Sequence, residues 1–146
     1  MRLPDAEATA AVGRALAGVL RIGDAVALSG DLGAGKTTFA RGLIGALGFA
    51  GEVPSPTFPI VIPYAPPELR IPVWHVDLYR IEDAQEIEEL GLDEARADSA
   101  LLIEWPERMG ALLWPDALKL LIERDGDRRR LTWALPAAWE GRWPPR

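Results

Sequence analysis

A chain of 146 residues, 49% hydrophobic and 26% charged, is long enough to bury the core of one globular domain. It contains no cysteine, which excludes disulfides and thiolate metal sites. The net charge of −6 argues against a broad nucleic-acid surface, so we expect no DNA binding and only RNA contacts that are local or made through a partner. No signal peptide or apolar stretch of membrane-spanning length is recognisable, which predicts a cytoplasmic protein without membrane contact.

The first predicted elements are an amphipathic helix and an apolar strand. Asp5 is suited to cap the helix, whose apolar residues recur at helical spacing, and Gly23 is expected to end it. Residues 25–28 are apolar throughout, as in a parallel strand that is covered on both faces. A helix followed by a buried strand is therefore predicted for this part of the chain.

A glycine-rich stretch follows the strand, with the sequence SGDLGAGKTT at residues 29–38. It fits the phosphate-loop pattern G-x-x-x-x-G-K-[ST], and a strand before it and a helix after it are the context that makes the motif credible. Glycines allow a backbone whose N–H groups turn towards phosphate oxygens, and the helix adds the positive end of its dipole. The motif predicts that the chain binds a nucleoside triphosphate, with Lys36 on the outer phosphates and the Thr37 hydroxyl on Mg²⁺.

Lysine usage supports this interpretation over a glycine-rich turn without a ligand. The chain has only Lys36 and Lys119 against fourteen arginines, so a slim ammonium in the lysine position of the motif is hard to explain by composition. We expect Lys36 to be exposed on its loop. The predicted nucleotide-binding residues of the motif are Asp31, Leu32, Gly33, Ala34, Gly35, Lys36, Thr37 and Thr38.

The helix after the loop is expected to run to about Leu47, and a proline-rich segment follows at residues 53–59. Two X-Pro steps favour an extended backbone there, from which Ser55 and Thr57 present hydroxyl groups. The segment is either a rigid connector or a switch that the terminal phosphate and its Mg²⁺ would order.

Two later strands are each predicted to end in a carboxylate. Residues 72–80 contain Asp77, and residues 100–106 repeat the pattern with Glu104. An acid after an apolar strand is the usual second contributor to Mg²⁺ in phosphate-loop enzymes. Asp77 and Glu104 therefore compete for the metal, share it, or position the attacking water. His75 is the only histidine, and a lone histidine in a strand is typically structural.

Several charged and aromatic residues allow two interpretations each. Arg80 either pairs with an acid or touches phosphate, and Trp105 either stacks near the nucleotide or packs in the core. The acidic stretch 82–98 is either a solvated face or a docking surface for a partner.

The C-terminal third predicts a β-hairpin with a basic turn. Strands at 118–124 and 129–135 flank Asp125-Gly126-Asp127, and four arginines lie at this turn, where they either face solvent or grip RNA or phosphate. From Ala137 the sequence lacks periodicity, so residues 137–146 are expected to form a loosely ordered tail. The fold predicted for residues 1–136 is a single α/β domain of the P-loop NTPase type, with a mostly parallel central sheet flanked by helices and a C-terminal antiparallel hairpin.

These segments, in this order, resemble the TsaE family (also called YjeE), the ATPase of bacterial tRNA threonylcarbamoyladenosine biosynthesis. Over about two-thirds of the chain, the resemblance is carried by LPDAEAT at 3–9, GDLGAGKTT at 30–38, SPTF at 55–58, HVDLYR at 75–80, GLDE at 91–94 and IEWP at 103–106. Pro59 departs from the family pattern, and its missing N–H bears on strand pairing and mobility just after Thr57.

The resemblance implies ATP and Mg²⁺ as cofactors and Lys36, Asp77 and Glu104 as catalytic residues. It places Lys36 on phosphate, Thr37 and Glu104 at Mg²⁺, and Asp77 nearby as an acid of the metal shell or of catalysis. It also implies that Thr9 contacts the ATP near its adenine and that the SPTF segment is switch-like. The implied partners are the proteins TsaB and TsaD, which transfer a threonylcarbamoyl group to the adenosine next to the tRNA anticodon, so that tRNA is met only through the complex.

Two other functions stay open from the residues alone. A small P-loop kinase would need an acceptor pocket and a lid, for which little chain remains. A nucleotide-dependent binding switch would need only the loop, with incidental hydrolysis. No built-in arginine finger is recognisable, so an ATPase of this kind is expected to be slow until a partner completes its site.

Overall fold

The computed structural model describes residues 1–31, 33–56 and 60–144, which form a seven-stranded sheet with helices on both faces. The strands are β1 Arg2–Leu3, β2 Ala25–Ser29, β3 Val61–Tyr64, β4 Val73–Asp77, β5 Ala100–Glu104, β6 Leu118–Asp125 and β7 Arg128–Ala134. The α-helices are α1 Ala6–Ala17, α2 Lys36–Ala46, α3 Ala84–Glu89 and α4 Leu92–Arg96, and short 3₁₀ segments span Pro106–Leu112 and Ala137–Trp139.

The strand order is β1-β7-β6-β2-β5-β4-β3. The four central strands β6, β2, β5 and β4 are parallel, whereas β3, β7 and β1 add antiparallel pairs at the two edges. The predicted α/β fold, with its parallel centre and C-terminal antiparallel hairpin, is therefore confirmed. Because the central strands are parallel, the carboxyl ends of β2, β4 and β5 meet at one edge of the sheet.

Side chains along each strand point alternately to the two faces of the sheet, and a hydrophobic core lies on each face. In β5, Leu102 points to the face covered by α1 and α2, whereas Leu101 and Ile103 point to the face covered by α3, α4 and the first 3₁₀ segment. Successive side chains of a strand point to opposite faces, so a strand covered on both faces is apolar at every position.

Two glycines bring α1 and α2 into backbone contact. A Cβ at Gly42 of α2 would lie 2.2 Å from the Ala10 carbonyl oxygen, and one at Gly13 of α1 would lie 2.3 Å from the Phe39 carbonyl oxygen. No side chain larger than hydrogen fits at either crossing point. The helices that carry Thr9 and Lys36 are thereby packed directly against each other.

The N-terminal helix begins as predicted and ends earlier. Asp5 caps α1, since its Oδ1 accepts a hydrogen bond from the Ala8 N–H at 2.8 Å. The prediction that Gly23 ends this helix is wrong, because α1 stops at Ala17. The Asp24 carboxylate accepts the Arg21 N–H at 2.6 Å and forms a separate turn before β2.

The C-terminal segment is packed, contrary to the loosely ordered tail expected from its sequence. Trp139 and Trp143 are buried, and the Trp143 ring meets that of Trp133 edge-on at a centroid distance of 5.6 Å. Arg142 adds a 2.5 Å ion pair to Asp24. The expectation is therefore wrong for residues 137–144, because isolated tryptophans anchor the segment without any helical or strand periodicity. Across residues 1–31, 33–56 and 60–144, no helix combines the length and apolar character needed to cross a membrane.

Candidate nucleotide site

The glycine loop connects the end of β2 to the start of α2, at the edge of the sheet where the parallel strands end. Gly33 and Gly35 have φ angles of +77° and +115°, a region that side-chain-bearing residues rarely adopt. Gly35 is the N-cap of α2, so the N–H groups of its first turn, which holds Lys36, Thr37 and Thr38, are directed at the loop. Backbone N–H groups in this arrangement are suited to bind an anion.

Lys36 is buried, contrary to the exposure expected of a loop lysine, with 6% of its surface accessible. Its Nζ donates a hydrogen bond to the Gly30 carbonyl at 2.6 Å and lies 4.0 Å from the centroid of the Trp105 ring. Burial lowers the pKa of Lys36, and four neighbouring carboxylates oppose that shift, namely Glu104, Asp77, Glu107 and Asp31. An ammonium held this way carries its charge in a partly desolvated place, where charge acts more strongly than in water.

Asp77 and Glu104 lie side by side because β4 and β5 are paired in parallel register. The two residues are direct partners in that pair, and both are 4% exposed. Glu104 Oε2 lies 2.6 Å from His75 Nε2, and Asp77 Oδ1 accepts the Tyr79 N–H at 2.9 Å. Each carboxylate is thus held by a protein hydrogen bond, which restrains its orientation.

One cavity of about 230 Å³ collects most of the predicted phosphate and metal residues. It is lined by Gly33, Gly35, Lys36, Thr37, Thr38, Ser55, Asp77, Glu104 and Trp105. Hydroxyl and carboxylate oxygens are donors that Mg²⁺ prefers, and this ion is usually held by one or two carboxylates together with substrate phosphates. Among the described residues no group of three or more His, Cys, Asp or Glu could hold a metal by itself. The donors fit a magnesium ion that arrives with a phosphate ligand.

A second cavity of about 170 Å³ also borders this loop. Its lining residues are Leu3, Asp5, Ala6, Thr9, Gly33, Gly35, Thr38, Asp127 and Arg129. It shares Gly33, Gly35 and Thr38 with the 230 Å³ cavity. Thr9, predicted from the resemblance to lie near the adenine, therefore lines a cavity that adjoins the one lined by Lys36 and Thr37.

Asp31, Ala34 and Arg80, which were also predicted, do not line the 230 Å³ cavity. Asp31 and Ala34 line an open groove of about 680 Å³ beside β6, which Trp105 also borders. Arg80 is exposed in the turn after β4. Predictions for Leu32, Thr57 and Pro59 fall outside the described residues.

Three residues at the site were not assigned there from the sequence. His75 was expected to be merely structural, yet it contacts Glu104. Arg124 and Arg129 belong to the basic turn, and the fold brings both against the glycine loop. The clustered arginines were the only sequence signal for the last two, and the pairing of β6 with β2 that carries them there is a tertiary property.

A strand, a glycine loop and a helix at the carboxyl edge of a parallel sheet, with acids at the ends of the neighbouring strands, define a domain of the P-loop NTPase type. A sequence profile described as "Threonylcarbamoyl adenosine biosynthesis protein TsaE" matches residues 3–132. The chain belongs to this family.

Individual relatives agree with this assignment. The chain is 48% identical over 116 residues to the tRNA threonylcarbamoyladenosine biosynthesis protein TsaE of Streptomyces coelicolor, with 77% of each chain covered. It is 41% identical over 130 residues to the TsaE of Bacillus subtilis, covering 88% of this chain and 80% of that one. The crystal structure of Bacillus subtilis YdiB superposes with a TM-score of 0.82 and 33% identity, covering 97% of this chain and 88% of that one.

Proposed function

We propose that the protein is a Mg²⁺-dependent ATPase that supports threonylcarbamoylation of the adenosine next to the tRNA anticodon, together with TsaB and TsaD. One observation carries the proposal: the lysine and threonine of the glycine loop share a single cavity with the acids that end β4 and β5. Membership of the TsaE family supports the tRNA-modification role. The TsaE proteins of Streptomyces coelicolor and Bacillus subtilis carry that role in their names.

Each side chain has a distinct part in this proposal. Lys36 neutralises charge on the outer phosphates, and the loop N–H groups around Gly35 receive the phosphate oxygens. Thr37 and Glu104 would hold Mg²⁺, which supplies charge neutralisation at the transferring phosphoryl group. Asp77 lies beside Glu104 as a further acid, suited to orient the attacking water or the metal's outer shell.

The partners are expected to complete the site. Within the described part of the chain, Lys36 is the only cationic side chain that lines the 230 Å³ cavity, and two buried acids face it. Phosphoryl transfer in related folds gains most from an added arginine in the transition state. We therefore infer that ATP turnover is slow in isolation and rises when TsaB and TsaD are present.

The test is phosphate release from ATP by the purified protein, first alone and then with TsaB and TsaD. The expected result is turnover well below the typical enzyme rate of about 10 per second alone, with strong stimulation by the partners. If TsaB and TsaD do not stimulate turnover although ATP still binds, the proposed partnership is wrong. Transfer of phosphate to a small hydroxyl acceptor would instead favour the kinase alternative.

A Glu104→Gln variant separates an ATPase from a nucleotide-dependent switch. The variant keeps the size of the side chain and removes its charge, so hydrolysis should fall sharply while ATP binding persists. Glu123→Gln, an exposed position on β6, is the matched control and should behave like the wild type. If Glu104→Gln hydrolyses nothing yet supports tRNA modification fully, the function is that of a switch.

A further inference from the structure

The β6–β7 hairpin places two arginines against the glycine loop. Arg124 and Arg129 are direct cross-strand partners in this antiparallel pair. A Cβ at Gly33 would lie 2.5 Å from Arg124 Nη2, so this guanidinium already occupies the space beside the loop. Arg129 reaches the same loop from β7. The basic turn is therefore in part a component of the nucleotide site.

Arg129 forms specific hydrogen bonds to the loop backbone. Its Nε donates to the Ala34 carbonyl at 3.0 Å, and its Nη2 donates to the Gly33 carbonyl at 3.3 Å. A third bond, from Nη1 to the Arg128 carbonyl at 3.0 Å, fixes the guanidinium on its own strand. A planar fork that bonds two consecutive peptide carbonyls restrains both peptide planes.

These bonds decide where the loop N–H groups point. In a planar trans peptide the C=O and N–H point in opposite directions. The peptide plane held through the Gly33 carbonyl carries the Ala34 N–H, which donates to the Asp31 carbonyl at 3.0 Å. The plane held through the Ala34 carbonyl carries the Gly35 N–H, which consequently points to the side of the loop opposite Arg129. That N–H is one of the groups expected to donate a hydrogen bond to a phosphate oxygen.

Arg129 also borders the 170 Å³ cavity. Thr9, Asp5 and Asp127 line that cavity with it. Its neighbours in the strand differ, since Arg128 and Arg130 are exposed. Arg130 forms a 3.9 Å ion pair with Asp125 between half-exposed side chains. Position 129 is therefore distinguished from the other arginines of β7 by its contacts.

We infer that Arg129 is a positioning residue of the nucleotide site, which holds the Gly33–Gly35 backbone in its phosphate-binding conformation. The inference rests on the proposed function only in taking ATP as the ligand. A loop that is ordered before the ligand arrives does not have to be ordered at the moment of binding, which increases affinity.

The experiment measures ATP and ADP dissociation constants by calorimetry for the wild type, Arg129→Ala, Arg129→Lys and the control Arg130→Ala. The Arg129 variants should bind both nucleotides about 10-fold to 100-fold more weakly, because two charge-assisted hydrogen bonds to the loop are lost. Lysine keeps the charge and lacks the fork, so it should fail to rescue affinity. The Tm without nucleotide should stay close to that of the wild type, and Arg130→Ala should bind normally.

Two results would overturn the positioning role of Arg129. Wild-type affinity in Arg129→Lys would show that charge alone suffices and would overturn the positioning role. Equal weakening in Arg130→Ala would assign the effect to the general charge of the hairpin and would also overturn it. If Arg129→Ala does not fold, Arg129→Lys carries the test. A wild type that binds ATP without being stimulated by TsaB and TsaD would refute the proposed partnership and leave this affinity comparison intact.

Discussion

The Lys36 ammonium is held between the Gly30 carbonyl, 2.6 Å away, and the face of the Trp105 ring, whose centroid is 4.0 Å away. Trp105 itself adopts the left-handed region with φ of +57°, directly after the β5 acid Glu104. A non-glycine residue in this conformation is uncommon and persists where the surrounding structure enforces it. The backbone at the end of β5 thus aims an aromatic face at the loop lysine, a cation–π contact that orders the ammonium in the absence of ligand.

Lys36→Ala should abolish ATP binding and phosphate release, since it removes the only cation that lines the 230 Å³ cavity within the described residues. The chain offers a matched control in Lys119→Ala, its other lysine, which is exposed on β6. Calorimetry with ATP and a phosphate-release assay measure both variants. Wild-type turnover in Lys36→Ala would contradict the placement of the site.

His75→Phe should destabilise the fold by about 1–3 kcal/mol, because it leaves the buried Glu104 carboxylate without its hydrogen-bond partner. A second variant, Glu104→Leu, and the double variant complete a cycle that urea unfolding can measure. The double variant should lose less stability than the sum of the two single variants, since it buries no unpaired charge. Strict additivity would show that His75 and Glu104 do not interact energetically.

Gly42→Ala should destabilise the protein by about 1–3 kcal/mol, because its Cβ would lie 2.2 Å from the Ala10 carbonyl oxygen and force α1 and α2 apart. Gly45→Ala, on the same helix, meets nothing within 4 Å. It should stabilise the protein by up to about 1 kcal/mol through helix propensity. Thermal or urea unfolding of the two variants should therefore give opposite signs, and equal signs would refute the close helix contact.

Asp116→Asn should reveal a pH-dependent contribution to stability. Hydrogen bonds from Arg96, at 2.8 and 3.0 Å, hold the pKa of the Asp116 carboxyl below its ordinary value. A lowered pKa in the folded state adds stability above the unfolded pKa of about 4, and that stability is lost as the pH falls through the folded pKa. Because the Asp116 side chain is half exposed, we expect a loss below about 1 kcal/mol.

The measurement for Asp116 is urea unfolding of the wild type and the variant at pH 7 and near pH 2. The difference in unfolding free energy should be present at neutral pH and shrink towards zero in acid. Asp125→Asn, which breaks a longer and more exposed pair with Arg130, is the control and should change less. A difference that grows in acid would contradict the sign.

Local sequence patterns predicted the strands that build the site, because buried parallel strands are continuous apolar runs and the acids follow them directly. The apolar runs at β2 and β5 and the hairpin of β6 and β7 are all where their patterns indicated. Contacts between residues on different strands could not be predicted from the sequence. The His75–Glu104 pair depends on the register of β4 against β5, and Arg129 meets the Gly33 carbonyl across 96 residues of chain.

A helix boundary and the C-terminal segment were mispredicted. The helix boundary near Gly23 moved because Asp24 makes its own turn, and local hydrogen bonding of this kind competes with helix continuation. Residues 137–144 pack through Trp139 and Trp143, and single anchors of this type leave no repeating pattern. In each case a specific contact outweighed the average preference of the segment.

The close crossing at Gly13 and Gly42 also fixes the distance between two residues of the site. Because the backbones of α1 and α2 touch, Thr9 on one helix and Lys36 at the start of the other keep a constant separation. Tightly packed elements move as one body and do not deform gradually. The two cavities that these residues line are therefore held at a fixed spacing by the helix crossing, so a change at Gly13 or Gly42 would shift one cavity relative to the other.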